Sequence, residues 1–301
     1  MRTLAWVVVV WMCTGGVTLA QGAQFTLNPP LDKEWRMVTR VTAEVPDADP
    51  AAAPRYTETN ESVWSMRVTQ DAGQRWLTHR LLNTTLRVQG VQTEEPQAKA
   101  LVGEAFSVAF GDRGQFIDLR GIEETLKKLR TVMGDKAPQE EQLTAFYRVQ
   151  WMAGFGWMWS HLAGQASVPG VSWDQSDAAY VILGPWVGHS LAKGRWLLLG
   201  QVTPAADSPA RVEFSYSTET VPLGEGAKAI KQWLRKRIPS LADRSWSSVK
   251  WEDKGVVLVD PLTLMISEGA QLQRVSVETE APASETLRVD ITTALKTTWV
   301  K

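Results

Sequence analysis

Long stretches in which apolar and polar residues alternate are the feature that most constrains how this chain folds. Such alternation predicts strands with one buried face, and residues 34–45 carry it through Trp35, Met37, Val41 and Val45. Strands are predicted in the same way over residues 55–69, 74–89, 104–110, 115–119, 171–183, 194–203, 210–221, 245–251, 256–260, 262–280 and 286–300.

Helical periodicity interrupts the strands in three places. Apolar residues three or four apart predict a helix over 121–133, a second helix from Pro138 towards Leu162, and a basic helix over 226–238. Turn-forming residues predict a tight turn at Asp253-Lys254-Gly255 and a break in the following strand near Gly269.

Many long antiparallel strands with few helices predict an α+β fold that is mostly β. We expect a large, curved, half-barrel-like antiparallel sheet packed on a few helices. Strands and helices do not alternate, which disfavours a doubly wound parallel sheet. Residues 21–301 are predicted to form a single domain, and a division into two lobes near residue 165 is left open.

The N-terminus has the layout of a secretory signal peptide. Arg2 precedes a short apolar stretch over residues 4–12, and small residues lead to a cleavage point after Ala20 or Ala23. This stretch is too short to span a bilayer comfortably. The sequence therefore predicts export to the periplasm or the exterior of a bacterial envelope, without a transmembrane segment after cleavage.

Composition excludes several classes of function. The single cysteine, Cys13, lies inside the predicted signal, so the mature chain has no disulfide and no thiol chemistry. The net charge of −1 changes to about −2 when the signal is removed, and nothing in this charge favours nucleic acid. Metal-binding and phosphate-loop motifs are missing, so we predict no catalytic residue, no metal and no cofactor.

The most unusual segment covers residues 146–162 and is apolar on almost every side. A helix of this kind must be covered, either by the curved sheet or as the wall of a cavity that holds an apolar ligand. The 15 tryptophans of the chain fit either a large aromatic core or a ligand site. The candidate ligand-binding residues are Trp151, Met152, Phe155, Trp157, Met158 and Trp159.

The predicted helix over 226–238 has a basic side formed by Lys228, Lys231, Arg235 and Lys236. Such a side can contact anionic lipid head groups, or it can simply be solvated.

Several short motifs follow one another along the chain, at Trp35-Arg36, residues 68–76, 106–110 with 114–121, 168–173 and 260–264. Their order resembles a family of uncharacterised exported bacterial proteins, many of them lipoproteins. Two departures are that the usual glycine of the last motif is Leu264 and that the lipidated cysteine is missing. The resemblance implies an envelope location and a large antiparallel sheet, and it implies no activity.

These observations favour a non-enzymatic exported protein that binds an apolar ligand, such as a lipid, or an envelope partner. One alternative is an envelope enzyme that acts on glycans with acidic residues and stacking tryptophans. Another is a purely structural module of the envelope, with neither ligand nor activity.

Overall fold

The computed structural model describes residues 24–300 except 50, 95, 184–185, 202–208, 242 and 280–285. The predicted signal peptide, both cleavage points and Cys13 lie outside the described residues. The α-helices are α1 (Pro96–Leu101), α2 (Glu123–Met133), α3 (Glu140–Ala153), α4 (Phe155–Leu162) and α5 (Gly226–Arg237). The strands are β1 (Glu34–Val45), β2 (Tyr56–Asp71), β3 (Gln74–Val88), β4 (Val91–Thr93), β5 (Ala105–Phe110), β6 (Phe116–Arg120), β7 (Ser172–Leu183), β8 (Trp186–Gln201), β9 (Ala210–Thr218), β10 (Val221–Pro222), β11 (Trp246–Val259), β12 (Ile266–Thr279) and β13 (Thr286–Trp299).

One antiparallel sheet contains every strand of the described part of the chain, in the order β6-β5-β3-β2-β1-β13-β12-β11-β9-β8-β7. The short strands β4 and β10 pair with β3 and β11. The first and last long strands meet in the middle, where Trp35 pairs with Trp299 and Glu44 with Asp290. This central pairing joins the two halves of the chain, and the structure confirms the predicted mostly β, α+β fold.

Two apolar cores lie on one face of the sheet. The first core surrounds α4 with residues of strands from both halves of the sheet, including Trp35, Leu77, Trp196 and Val257. The second core packs α5 against the opposite ends of β1, β11, β12 and β13. Because side chains alternate between the faces of a strand, the residues between these buried ones point to the outer face.

The predicted turn at Asp253-Lys254-Gly255 is wrong, because β11 runs through these residues as one strand. A Cβ on Gly255 would lie 2.5 Å from Cζ of Phe214 and 2.6 Å from the carbonyl oxygen of Ala270. Cross-strand packing, and not a turn, therefore requires glycine here. The predicted break near Gly269 is also wrong, since this residue stays paired with its neighbours inside β12.

The predicted helix from Pro138 towards Leu162 is divided into α3 and α4. Gly154 separates them with a non-helical backbone at φ −123° and ψ −117°. Gly156 lies under the indole of Trp151, because a Cβ at that glycine would be 2.1 Å from the indole Nε1. The break between the two helices therefore makes room for the indole of Trp151 against the start of α4.

Leu264 lies in the left-handed region of backbone conformation, which favours glycine. Its φ is +55°, and its side chain is fully buried in the first core. Its N–H donates to the carbonyl of Asp260 at 2.8 Å, which closes the turn between β11 and β12. Burial of the side chain offsets the strain that this backbone conformation imposes on a non-glycine residue.

Among the described residues, no helix combines the length and the apolar character that crossing a bilayer requires.

Candidate functional site

The tryptophans of the aromatic segment anchor α3 and α4 inside the first core. The Nε1 of Trp159 donates to the carbonyl of Leu264 at 3.0 Å, and the Nε1 of Trp151 donates to the carbonyl of Gly114 at 2.8 Å. Buried indoles need such acceptors, and here the protein itself supplies them. The two bonds join the helices to turns in opposite halves of the sheet.

Trp157 lies in a cluster of rings and is itself half-buried. Its ring centroid is 5.0 to 5.3 Å from those of His161, Trp196, Phe214 and Tyr216. These distances are typical of favourable aromatic packing. Rings of the protein itself therefore pack against the buried side of this indole.

The remaining candidates in the aromatic segment are also half-buried: Met152, Phe155 and Met158. The ring of Phe155 lies 5.4 Å from that of Trp159, and Met158 packs against the first core. The six candidates thus lie together on α3 and α4, largely against other side chains. The proposal that they contact a ligand stays a prediction.

The basic helix is amphipathic as predicted. Lys228, Arg235 and Lys236 are exposed and Lys231 is half-buried, whereas Ile230 and Leu234 are fully buried.

A groove of about 910 Å³ lies on the outer face of the sheet, opposite the cores. Its floor is one cross-strand row of Ala294, Ala270, Val256, Glu213 and Leu197, apolar except at Glu213, with Leu272 beside it. The first two are small, which leaves a depression between longer side chains. We call this depression the outer groove.

Four cations line the outer groove: Arg211, which is paired with Glu213, and three others. Lys254 and Arg195 lie in one cross-strand row on either side of Ser215, about 10 Å apart at two strand spacings, and Arg40 faces Ala294. Within the described part of the chain, none of the three forms an ion pair.

In the described part of the chain, the acids near the outer groove form no ion pair with Arg40, Arg195 or Lys254. Glu213 is already paired with Arg211 at 3.2 Å. Asp174 lies opposite Arg195 at the β7 edge, while the Nη2 of Arg195 donates to the hydroxyl of Ser172 at 3.1 Å. The groove thus combines an apolar floor with an excess of positive charge.

Two titratable groups lie on the inner face of the sheet. Burial raises the pKa of Asp253 to about 7, although the Nε2 of Gln271 donates to its carboxyl at 2.7 Å and opposes this effect. Burial also lowers the pKa of His79 to about 4, and its imidazole stacks on Phe106 with centroids 5.2 Å apart. At neutral pH His79 is therefore uncharged.

The two groups act on stability in opposite directions. Stability from neutral His79 is lost as the pH falls from 6.5 to about 4, because the unfolded imidazole then binds a proton that the native one does not. Stability from protonated Asp253 is lost as the pH rises from 3.8 to about 7, because the native carboxyl keeps a proton that the unfolded one releases.

The variant Asp253→Asn separates the contribution of Asp253 to stability from that of His79. We expect the variant to exceed the parent in free energy of unfolding at pH 8 by about 1–3 kcal/mol, because it buries no charge. Its stability, measured by urea unfolding, should rise from pH 4 to 6.5, because over this range the imidazole of His79 loses its proton in the unfolded state and is already neutral in the native state. Asp243→Asn, at an exposed acid, is the matched control and should leave the pH profile unchanged. Equal stability of Asp253→Asn and the parent at pH 8 would contradict the burial of a charge.

Sequence reasoning did not find the outer groove. Arg40, Arg195 and Lys254 stand on three separate strands, far apart in the chain, at positions where alternation predicts an ordinary solvated residue. The sequence signal for this groove is the presence of small apolar residues at outward positions of β12 and β13. No group of three or more potential metal-ligating side chains occurs among the described residues.

No family model and no curated protein matches this chain. Among solved structures it is similar to DynF from the dynemicin biosynthesis pathway of Micromonospora chersina, with 8% identity, 92% of this chain and 85% of that chain covered, and a TM-score of 0.21. It is also similar to the binding domain of botulinum neurotoxin DC in complex with rat synaptotagmin II, with 8% identity, coverages of 89% and 83%, and a TM-score of 0.16. Likenesses this weak carry no argument, and the resemblance to exported lipoprotein-like proteins stays a prediction.

Proposed function

We propose that this protein is an exported, non-enzymatic binding protein of the bacterial envelope. Its outer groove would hold an amphiphile that has an apolar chain and an anionic head group. The observation that carries this proposal is the mostly apolar floor bordered by Arg40, Arg195 and Lys254, none of which forms an ion pair in the described part of the chain.

The shape of the outer groove suits an extended chain better than a compact molecule. Its floor runs from Ala294 on β13 to Leu197 on β8, across about 19 Å at four strand spacings, and is interrupted only by the ion-paired Glu213 of β9. Burial of each methylene of a ligand contributes about 0.8 kcal/mol. A cation at either side of Ser215 can then bond a carboxylate or phosphate, which fixes the orientation of the chain.

The proposed ligand class is the one that the sequence favoured, but the proposed binding site is the outer groove and not the aromatic segment. Trp151 and Trp159 already have acceptors for their indole N–H groups, and Trp157 is surrounded by rings of the protein. A ligand at these residues would displace existing packing. A ligand in the outer groove would displace only water.

The rival proposal of a glycan-acting enzyme receives less support from the geometry. The aromatic side chains of the strands beneath the outer groove, Trp196, Phe214 and Tyr216, point into the first core and offer no ring to a sugar. Glycoside hydrolysis also needs two carboxylates about 5–9.5 Å apart. Among the residues that line the groove, Glu213 is the only acid, and it is ion-paired.

Titration with anthroyloxy-labelled stearate, below its micelle-forming concentration, tests the proposal. We expect saturable binding by the purified mature chain, and at least tenfold weaker binding by Arg195→Gln/Lys254→Gln, because bonds to charged groups contribute about 1.5–3 kcal/mol each. Ala270→Trp should also abolish binding by filling the floor. The methyl ester should bind more weakly than the acid, and competition by lysophosphatidylglycerol would distinguish a phosphate head group from a carboxylate.

Arg36→Gln/Arg80→Gln is the matched control, since it removes two exposed cations outside the groove. Binding that is lost equally in this control and in the groove variant would show a nonspecific charge effect. Absence of binding, together with a ligand-free mass in native mass spectrometry of protein from the envelope fraction, would favour the structural module.

A further inference from the structure

The outward side of α5 is a continuous basic surface. Lys228, Lys231, Arg235 and Lys236 follow one another at intervals of three, four and one residues, with Gln232 exposed among them. Among the described residues, none of the four cations forms an ion pair. We call this surface the basic face.

Positive charge is concentrated on the basic face, although the whole chain is close to neutral. Helix α5 carries five basic residues and no acid, whereas the whole chain has a net charge of −1. The nearest acids in the chain, Glu219, Glu225 and Asp243, precede or follow the helix. An anionic surface that approaches α5 therefore meets positive charge first.

The inward side of α5 is already occupied. Ile230, Leu234 and Ile238 are buried in the second core, and Arg237 forms an ion pair with Glu58 of β2 at 3.1 Å. The helix thus has no free apolar side to insert between acyl chains, as an interfacial amphipathic helix would. Contact through its exposed side is limited to electrostatic attraction.

We propose that the basic face of α5 docks the protein onto the surface of an anionic phospholipid bilayer. A planar array of head groups matches four cations on one helix side, and each Lys or Arg near such a surface adds to the attraction. The contact is reversible and sensitive to salt, because screening acts within about 10 Å at 0.1 M ionic strength. It is independent of the outer groove, which lies on the opposite face of the sheet from α5.

Sedimentation with large vesicles tests this proposal on the full mature chain. The protein should bind vesicles of 30% phosphatidylglycerol and 70% phosphatidylcholine at 20 mM salt, and binding should fall at least tenfold at 300 mM salt. It should not bind vesicles of phosphatidylcholine alone. Replacement of all four cations of the basic face by glutamine should weaken binding at least tenfold, and Gln232→Lys should strengthen it severalfold.

A variant that replaces Arg36, Arg80, Arg87 and Arg130 by glutamine changes the total charge equally, at exposed positions outside α5. It should retain most of the binding. Circular dichroism and thermal unfolding should show that both four-site variants fold. Equal losses in the two variants, or no gain from Gln232→Lys, would overturn the proposal.

The groove variant Arg195→Gln/Lys254→Gln separates this proposal from the proposed function. It should bind vesicles like the parent while losing labelled stearate. Loss of vesicle binding in the groove variant, with retention in the α5 variant, would overturn docking through α5 and assign the membrane contact to the outer groove.

Discussion

Trp159→Ala is expected to lower the free energy of unfolding by about 3–5 kcal/mol, the range for removal of a large buried aromatic side chain. The indole is fully buried, and its centroid lies 5.3 Å from that of Phe110 and 5.7 Å from that of Trp151. The substitution also leaves the carbonyl of Leu264 without its donor inside the core. Both effects act in the same direction, so we expect the variant to be partly unfolded at 37 °C.

The loss should be large because Trp159 connects the two halves of the sheet. Its ring packs on β5, while its N–H reaches the turn between β11 and β12. Gly114 contacts it closely too, since a Cβ there would lie 2.6 Å from the Cβ of Trp159.

Urea unfolding followed by circular dichroism measures this effect. Phe146→Ala is the matched control, because this aromatic residue of α3 is 44% exposed and should change stability by at most about 0.5 kcal/mol. If Trp159→Ala unfolded like the parent and lost only a bound ligand, the aromatic segment would be a ligand site and not core.

Leu264→Ala is expected to lower the free energy of unfolding by about 3–5 kcal/mol, because it removes a fully buried side chain and keeps the strained backbone. Leu264→Gly loses the same contacts but relieves the left-handed strain, which costs a non-glycine residue about 1–2 kcal/mol. We therefore expect the glycine variant to be the more stable of the two and still less stable than the parent.

Ala72→Gly is the control for the backbone contribution. Ala72 has a φ of +47° in the turn between β2 and β3, and its side chain is exposed. Glycine at this site should raise stability by about 1 kcal/mol, because strain is relieved and no burial is lost. A gain of similar size in Leu264→Gly would mean that the leucine side chain does not stabilise the first core.

Much of the fold follows from local patterns in the chain. The alternation over 34–45 coincides with β1, and the helical spacing of 121–133 places α2 within two residues of its observed start. Alternation works here because a strand with one buried face imposes a period of two on every residue, whatever its partner strand. The basic helix followed from its composition and spacing for the same local reason.

The candidate site was less accessible to such reasoning. The aromatic segment was correctly singled out as needing cover, but the sequence could not distinguish a core helix from a cavity wall. The choice depends on which groups surround Trp157 and accept from Trp159, and those groups come from β8, β9 and the β11–β12 turn. The outer groove escaped notice because Arg40 and Lys254 come to border the same groove only through the pairing of four strands.

By itself, therefore, the sequence determined the strands, the amphipathic helices and the need to cover the aromatic segment, since these depend on the period of residues close in the chain. Only the tertiary structure decided that β1 pairs with β13, that Gly255 lies inside a strand under Phe214 and that Leu264 adopts a glycine conformation. Each of these depends on contacts between residues far apart in the chain, and their packing energy exceeds the local preference for a turn or against positive φ.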